Sequence, residues 1–443
     1  MTAFLLTITL INYIIFKNNW KRLVYFFIYF LPYIGFIQLK ISDSVFFAPL
    51  IHDIIFIIPI YIIFVTSKKN INFLPMDLKK LIYIFIFFLF IQFLNPFNNL
   101  GFWSRIIGLK IWILYFFLIA IGYHLISNKK DLKKFCNTFT ICAIIPCLIG
   151  NFLYILFAIY GHRETLILFY NDFGIASAAS QNFAKFDYGS FSYYRNPSTF
   201  TYSAQYLNFC LLALITTITS ISISETLKEK SFYKFVLVLI IISLFFTGNR
   251  ASIIILPIFF SVFILQNYKI VDIKFGLFKF IIIIIVAIFL YKNLPIISST
   301  TTLAQTYTES VFFDNFEKNI SKYFFGIGLG NSTSGARYVG NLNMINEGYY
   351  WKVIVELGVP GLIIVMSLFL NYLKQVKIVK IKIIDFKEKI LCNSFYAYII
   401  FQLIFAFKSW VYFDGYPANI IFFLLLGIIL KIGTNEYIKN SYD

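Results

Sequence analysis

The chain has 443 residues, 60% of them hydrophobic and only 13% charged, against roughly 25% charged in a soluble domain. Its 56 Phe cannot be hidden in one soluble core, so a cytosolic enzyme, a nucleic-acid-binding domain and a disordered chain are excluded. The net charge of +18 then reads as lysine-rich loops beside anionic lipid rather than as a nucleic-acid footprint.

About thirteen spans of roughly 20 residues need about 260 apolar positions, which this composition supplies; a transmembrane barrel would need alternating strands of about ten residues. The expected fold is therefore an all-α polytopic membrane protein with about 13 (12–14) transmembrane helices, a single integral membrane domain over 1–443. The apolar runs, in chain order, are 2–16, 23–39, 45–66, 78–97, 106–126, 135–160, 200–223, 233–247, 251–266, 277–291, 349–372, 390–407 and 419–433. No basic n-region precedes the first run, so no signal peptide is expected. Alternate connections carry 24 of the 32 lysines. By the positive-inside rule that side is cytoplasmic, which puts the N-terminus outside and the C-terminus inside. Cys136, Cys142, Cys147, Cys210 and Cys392 all lie in apolar stretches without a CxxC pair and are expected to be small core residues.

Two long connections fall on the outer side, 161–199 and 292–348. Structureless loops of that length are uncommon in compact folds, and these mix aromatic, Gly and charged residues, so folded extracytoplasmic loops are expected. Segment 307–325 has acids and aromatics at helical spacing and is expected to lie at the interface as an amphipathic helix. The six arginines run against the lysine pattern: Arg22 is on the Lys-rich side, whereas Arg105, Arg163, Arg195, Arg250 and Arg337 map to the outer side. A guanidinium fork matches phosphate oxygens better than a lysine point charge. Either these residues form an outward anion site or they snorkel and bridge loops.

Several motifs sit on that side. Arg163 is followed eleven residues later by Gly174, and Arg337 by Gly348. An Arg-Asn-Pro turn (Arg195, Asn196, Pro197) leads into a span, and Thr-Gly-Asn-Arg-Ala-Ser (247–252) joins two spans with almost no loop. Phe-Gly-Ile-Gly-Leu-Gly-Asn (325–331) lacks the strand and helix of a dinucleotide site and reads plainly as a flexible turn. Asn-Glu-Gly-Tyr-Tyr-Trp-Lys (346–352) then enters a span, with Glu347 at its mouth, Glu356 deeper and a break in the helical pattern over Leu357–Gly361. His52 and Asp53, adjacent within one span, are either a proton relay or a buried structural hydrogen bond. His162 neighbours Arg163 as an auxiliary anion ligand, and His124 has no assigned role. No ligand spacing for a metal, no Asp-x-Asp and no Walker loop occurs, so neither metal nor cofactor is expected.

The order of these motifs resembles the O-antigen polymerase and ligase superfamily (Wzy and WaaL types), over roughly residues 160–365, and the two Arg-x10-Gly loops look like those of the polymerases. The resemblance implies a GT-C-like fold in a bacterial cytoplasmic (inner) membrane, with its site on the periplasmic face. Donor and acceptor would both be oligosaccharide repeat units on undecaprenyl diphosphate, and a chain-length regulator and a flippase would be partners. Arg195, Arg250, Arg337 and then Arg163 would stabilise the leaving diphosphate. Glu347 would take the acceptor proton or bridge to one of the arginines, and Asn196, Tyr349, Gly174 and Gly348 would complete the substrate site. Ligases begin the last motif with His-Asn where this chain has Glu347 and Gly348. That departure counts against the alternative of an O-antigen ligase; the other alternative is a flippase for lipid-linked oligosaccharide.

Overall fold

A computed structural model describes residues 2–41, 50–67, 74–188, 191–249, 323–333, 348–406, 415–434 and 436–437. In chain order these form α1 (Thr2–Phe16), α2 (Trp20–Phe30), α3 (Ile34–Ile41), α4 (Ile58–Ser67, entered through a π-helical turn at Asp53–Ile57), α5 (Met76–Phe93), α6 (Phe102–Ile113), α7 (Leu118–Leu125) and α8 (Lys129–Tyr160). They continue with α9 (His162–Tyr170), α10 (Phe173–Ala179), strands β1 (Lys185–Tyr188) and β2 (Phe191–Tyr194), α11 (Ser203–Ile223), α12 (Leu227–Phe246), α13 (Tyr349–Lys382), α14 (Phe386–Phe405) and α15 (Ala418–Ile432).

Among the described residues, five helical runs are long and apolar enough to cross a membrane: Trp20–Lys40, Phe102–Leu125, Lys129–Tyr160, Ser203–Ile223 and Tyr349–Lys382. The architecture is that of a helical membrane protein. The expected spans 251–266 and 277–291 and most of the 307–325 segment lie outside the described residues. The antiparallel β1–β2 hairpin, Lys185 opposite Tyr194, departs from the all-α expectation. It sits in 161–199, which also carries α9 and α10.

Sequence signals account for the helix ends. Asn128 caps α8 by accepting from Asp131 N at 3.0 Å, and Gly161, at φ 90°, ends it. Thr226 caps α12 through Glu229 N at 3.2 Å. Packing then sorts the helices by depth. Of the most apolar window of α11, 83% is buried, against 39% for α8, so α11 is central while α8 presents Ile141, Ile145, Leu148 and Phe152 outward. Close packing of α7 on α15 rests on small residues: a Cβ at Gly122 would lie 2.1 Å from the Leu424 carbonyl oxygen, and one at Gly427 would lie 2.1 Å from that of Ile119. The five cysteines are all free and buried.

Candidate functional site

Three stretches far apart in sequence meet at the Arg195 turn. Asn196 N donates to the Thr247 carbonyl at 3.0 Å, and His162 Nε2, at the start of α9, donates to the Arg195 carbonyl at 2.8 Å. Asn196 is fully buried; its Nδ2 donates to the Gly150 carbonyl at 2.7 Å, and its Oδ1 accepts from Ser198 N at 3.1 Å. Ser198 Oγ donates to the Pro146 carbonyl at 2.6 Å. The Arg-Asn-Pro turn is thus stitched onto α8 where Pro146 and Gly150 interrupt its side-chain surface. Asn196, expected to touch substrate, clamps the turn that presents Arg195. Thr-Gly-Asn of 247–249 packs against the same turn, and Arg250 lies just outside the described residues.

Arg163 is exposed beside this junction, its guanidinium 5.1 Å from the Phe173 ring centroid and 5.9 Å from that of Phe183. Gly174 lies inside α10, where a Cβ would meet only Asp172 Oδ1 at 3.3 Å. The eleven-residue spacing therefore sets Arg163 against the aromatic residue before the glycine. Arg105 is spent on backbone: it donates to the carbonyls of Leu100 at 3.0 Å and Phe93 at 3.3 Å, and also to that of Asn98. This is the structural role that the sequence left open for any one arginine.

Burial pushes the His162 imidazole below its usual value, against the opposing pull of the Arg195 carbonyl and Glu164. The folded turn thus holds His162 neutral where the unfolded chain protonates, so stability is full above about pH 6.5 and is lost as pH falls through the lower folded value. Acidifying from about pH 7.5 to 5.5 should lower the thermal midpoint of the wild type more than that of His162→Gln; parallel slopes would show that His162 does not set the acid limb.

The second junction unites the other two motifs. Gln92 Nε2, in the last turn of α5, and Asn95 Nδ2 and Asn98 Nδ2, in the turn from α5 to α6, donate to the carbonyls of Phe325 (2.7 Å), Gly326 (3.1 Å) and Leu329 (2.8 Å). Ile327 N donates to the Val355 carbonyl at 2.8 Å, and Val359 N to that of Phe324 at 2.9 Å. The glycine-rich segment is a clamped turn rather than a flexible one. Its partner Gly358 has φ 74° and ψ −176°, which breaks α13 within the predicted interval. A Cβ there would lie 2.4 Å from the Phe324 carbonyl oxygen, so only glycine allows the two backbones to cross.

At the centre of this junction is Glu356, fully buried. Its Oε1 accepts from Ser332 N at 2.9 Å and from Thr333 Oγ1 at 2.8 Å, and its Oε2 accepts from Trp112 Nε1 at 2.8 Å. One turn earlier on α13, the buried Lys352 ammonium stands 5.0 Å from the Trp112 ring centroid. Gly348 and Tyr349 start α13; the Tyr349 ring is 6.0 Å from that of Trp112, and the two line a cavity of about 40 Å³. Lys352, Trp112 and the donor set of Glu356 were not legible as site residues, because their partners are tens to hundreds of positions away. Glu347 and Arg337 lie outside the described residues.

His52 and Asp53 belong to a third polar cluster. Tyr115 OH donates to Asp53 Oδ1 at 2.9 Å, and His52 Nε2 is 2.9 Å from the same hydroxyl. With its proton on Asp53, Tyr115 oxygen can only accept from His52, whose Nδ1 then accepts from Gln38 Nε2 at 3.2 Å. Lys110 ion-pairs with the other Asp53 oxygen. The chain of donors is closed at both ends, as a buried hydrogen-bonded tie between α3, α6 and the π-helical turn requires. Comparison of the chain with family models and with curated proteins finds no match.

Proposed function

We propose that this protein is a membrane glycosyltransferase of the O-antigen polymerase type, acting at the outer face of a bacterial cytoplasmic membrane. The observation that carries the reading is the pairwise meeting of the four motifs: the Arg-Asn-Pro turn on Thr-Gly-Asn, and the glycine-rich turn on Glu-Leu-Gly-Val-Pro-Gly. In the reaction, an acceptor sugar hydroxyl attacks the anomeric carbon of a glycan chain held on undecaprenyl diphosphate. The new glycosidic bond forms as the bond to phosphate breaks, the hydroxyl proton passes to the Glu347 carboxylate, and the lipid diphosphate leaves with the bonding pair. Arg195, Arg250, Arg337 and Arg163 are the proposed counter-charges for that leaving group. Tyr349, Gly348 and Gly174 are their proposed neighbours in the substrate site.

Surface glycan from a deletion strain and its complemented parent, resolved by length on a gel, tests the proposal. Loss of the ladder with retention of single-repeat material is the expected result. Polymer accumulating unattached on the lipid carrier would make the protein a ligase, and repeat units trapped on the cytoplasmic side would make it a transporter. In the complemented strain, Arg195→Lys and Arg250→Lys should accumulate normally in the membrane and lose about a hundredfold or more in polymer formed, because lysine cannot chelate bidentately. Wild-type chain length from both variants would remove the arginines from the mechanism.

A further inference from the structure

We infer that Cys147 on α8 and Cys210 on α11 are a modification site: a small, uncharged two-electron oxidant closes the two thiols into a disulfide and loosens the Arg195 turn beside them. Their Sγ atoms are 4.0 Å apart, and both residues are fully buried. A disulfide holds its sulfurs at about 2.05 Å, so the pair must close by about 2 Å. The backbones already run close at this point. Gly150, three positions after Cys147, faces Tyr206, four positions before Cys210; a Cβ at Gly150 would lie 2.4 Å from the Tyr206 hydroxyl oxygen. Those spacings put each cysteine on the contact face of its helix. Cys136, eleven positions before Cys147, is about 16 Å away along α8 and sits at another level of the bundle.

Two features separate this pair from ordinary core packing. The hydroxyls of Tyr206 and Ser243 flank the Cys147 thiol, and that of Tyr206 is buried with no nitrogen or oxygen partner among the described residues. It is placed to donate to a sulfur that takes on negative charge. In addition, Cys147 lies between the two α8 carbonyls that hold the turn: Pro146 accepts from Ser198 Oγ at 2.6 Å, and Gly150 accepts from Asn196 Nδ2 at 2.7 Å. Drawing Cys147 toward α11 pulls on both. In the reaction, the Cys147 sulfur attacks one oxygen of hydrogen peroxide, the O–O bond breaks, and the other oxygen leaves as water with the thiol proton. The Cys210 sulfur then attacks the sulfenic acid so formed; its S–O bond breaks, and the hydroxyl leaves as a second water with the Cys210 proton. Burial of both thiols excludes bulky and charged oxidants.

The test treats the full chain in detergent with hydrogen peroxide, blocks the remaining thiols with N-ethylmaleimide in denaturant, and maps the peptides by mass. The expected result is the loss of two hydrogens and a single Cys147–Cys210 crosslink, reversed by dithiothreitol, with the other three of the five thiols alkylated. Cys210→Ser should stop at a Cys147 sulfenic acid that dimedone traps, and a Cys136→Ser/Cys142→Ser/Cys392→Ser chain should still form the crosslink. The oxidised protein should be cleaved between residues 181 and 199 several-fold faster than the reduced protein. Five alkylated thiols after peroxide would overturn the site. So would the same mixture of pairings from the folded chain as from a chain unfolded in dodecyl sulfate. A crosslink that leaves cleavage unchanged would overturn its coupling to the turn.

Discussion

Replacing Gly248 with alanine should release the Arg195 turn from its support. Gly248 has φ +66°, where an L side chain is already strained, and an added Cβ would stand 1.6 Å from the Tyr194 carbonyl oxygen and 2.7 Å from Arg195 Cα. Both obstacles are backbone, so no rotamer change relieves them. One main chain must move, and the Asn196 N to Thr247 carbonyl bond at 3.0 Å lies in the path. Left-handed strain and overpacking each cost about 1–3 kcal/mol, so a loss of roughly 2–6 kcal/mol is expected. It should appear as a lower thermal midpoint in detergent and as new proteolytic cleavage between residues 181 and 199. Gly174→Ala is the matched control. It sits in a helix where a Cβ would press only on the Asp172 side chain, at 3.3 Å from Oδ1, so alanine there should change stability by no more than about 1 kcal/mol. A Gly248→Ala protein as stable as wild type would contradict the junction. Loss of polymer in a fully stable Gly174→Ala protein would support the place of Gly174 in the proposed substrate site.

Removing the Glu356 carboxylate should have a comparable effect on the other junction. Glu356→Ala strands three donors, Trp112 Nε1, Ser332 N and Thr333 Oγ1, in a region without solvent. At about 1–3 kcal/mol for each buried unsatisfied group, the loss is at least about 3 kcal/mol. Glu356→Gln is the more telling variant. Its carbonyl can keep Ser332 N and Thr333 Oγ1, but its amide then turns an N–H toward the indole N–H of Trp112. Glu356→Gln should therefore destabilise the wild type strongly and a Trp112→Phe background much less. That positive coupling, measured as a double-mutant cycle on thermal midpoints, is the signature of the direct bond. Strict additivity of the two substitutions would mean that Glu356 and Trp112 do not share it.

Glu356 also shows where sequence reading stops. An acid inside an apolar run is visible at once as something that needs partners. Which partners is a question of topology, since Trp112 is 244 positions away on α6 and Thr333 is 23 positions away in a different segment. The same holds for His52 and Asp53. Their adjacency is written in the chain, while the Tyr115 hydroxyl and the Lys110 ammonium that complete the network come from another helix and the turn that follows it. Asn196 shows a different limit. An Asn before a proline in a polar-looking turn offers no sign that its amide will be buried on the carbonyl of Gly150, on α8.

What the chain determined by itself was local and one-dimensional. Apolar runs of membrane length set the helices, Asn128 and Thr226 set where two of them start, and Gly358 set the break in α13, because burial preference, capping and backbone freedom depend on a residue and its near neighbours. The tertiary structure alone decided which helix is central, which arginine is spent on its own backbone, and which pairs of motifs touch. Those outcomes depend on contacts that range from about ten positions, for Arg105 and the carbonyls of Phe93, Asn98 and Leu100, to more than two hundred, for Trp112 and Glu356; close packing at glycines and the pairing of buried polar groups select one arrangement among many that the same helices could enter.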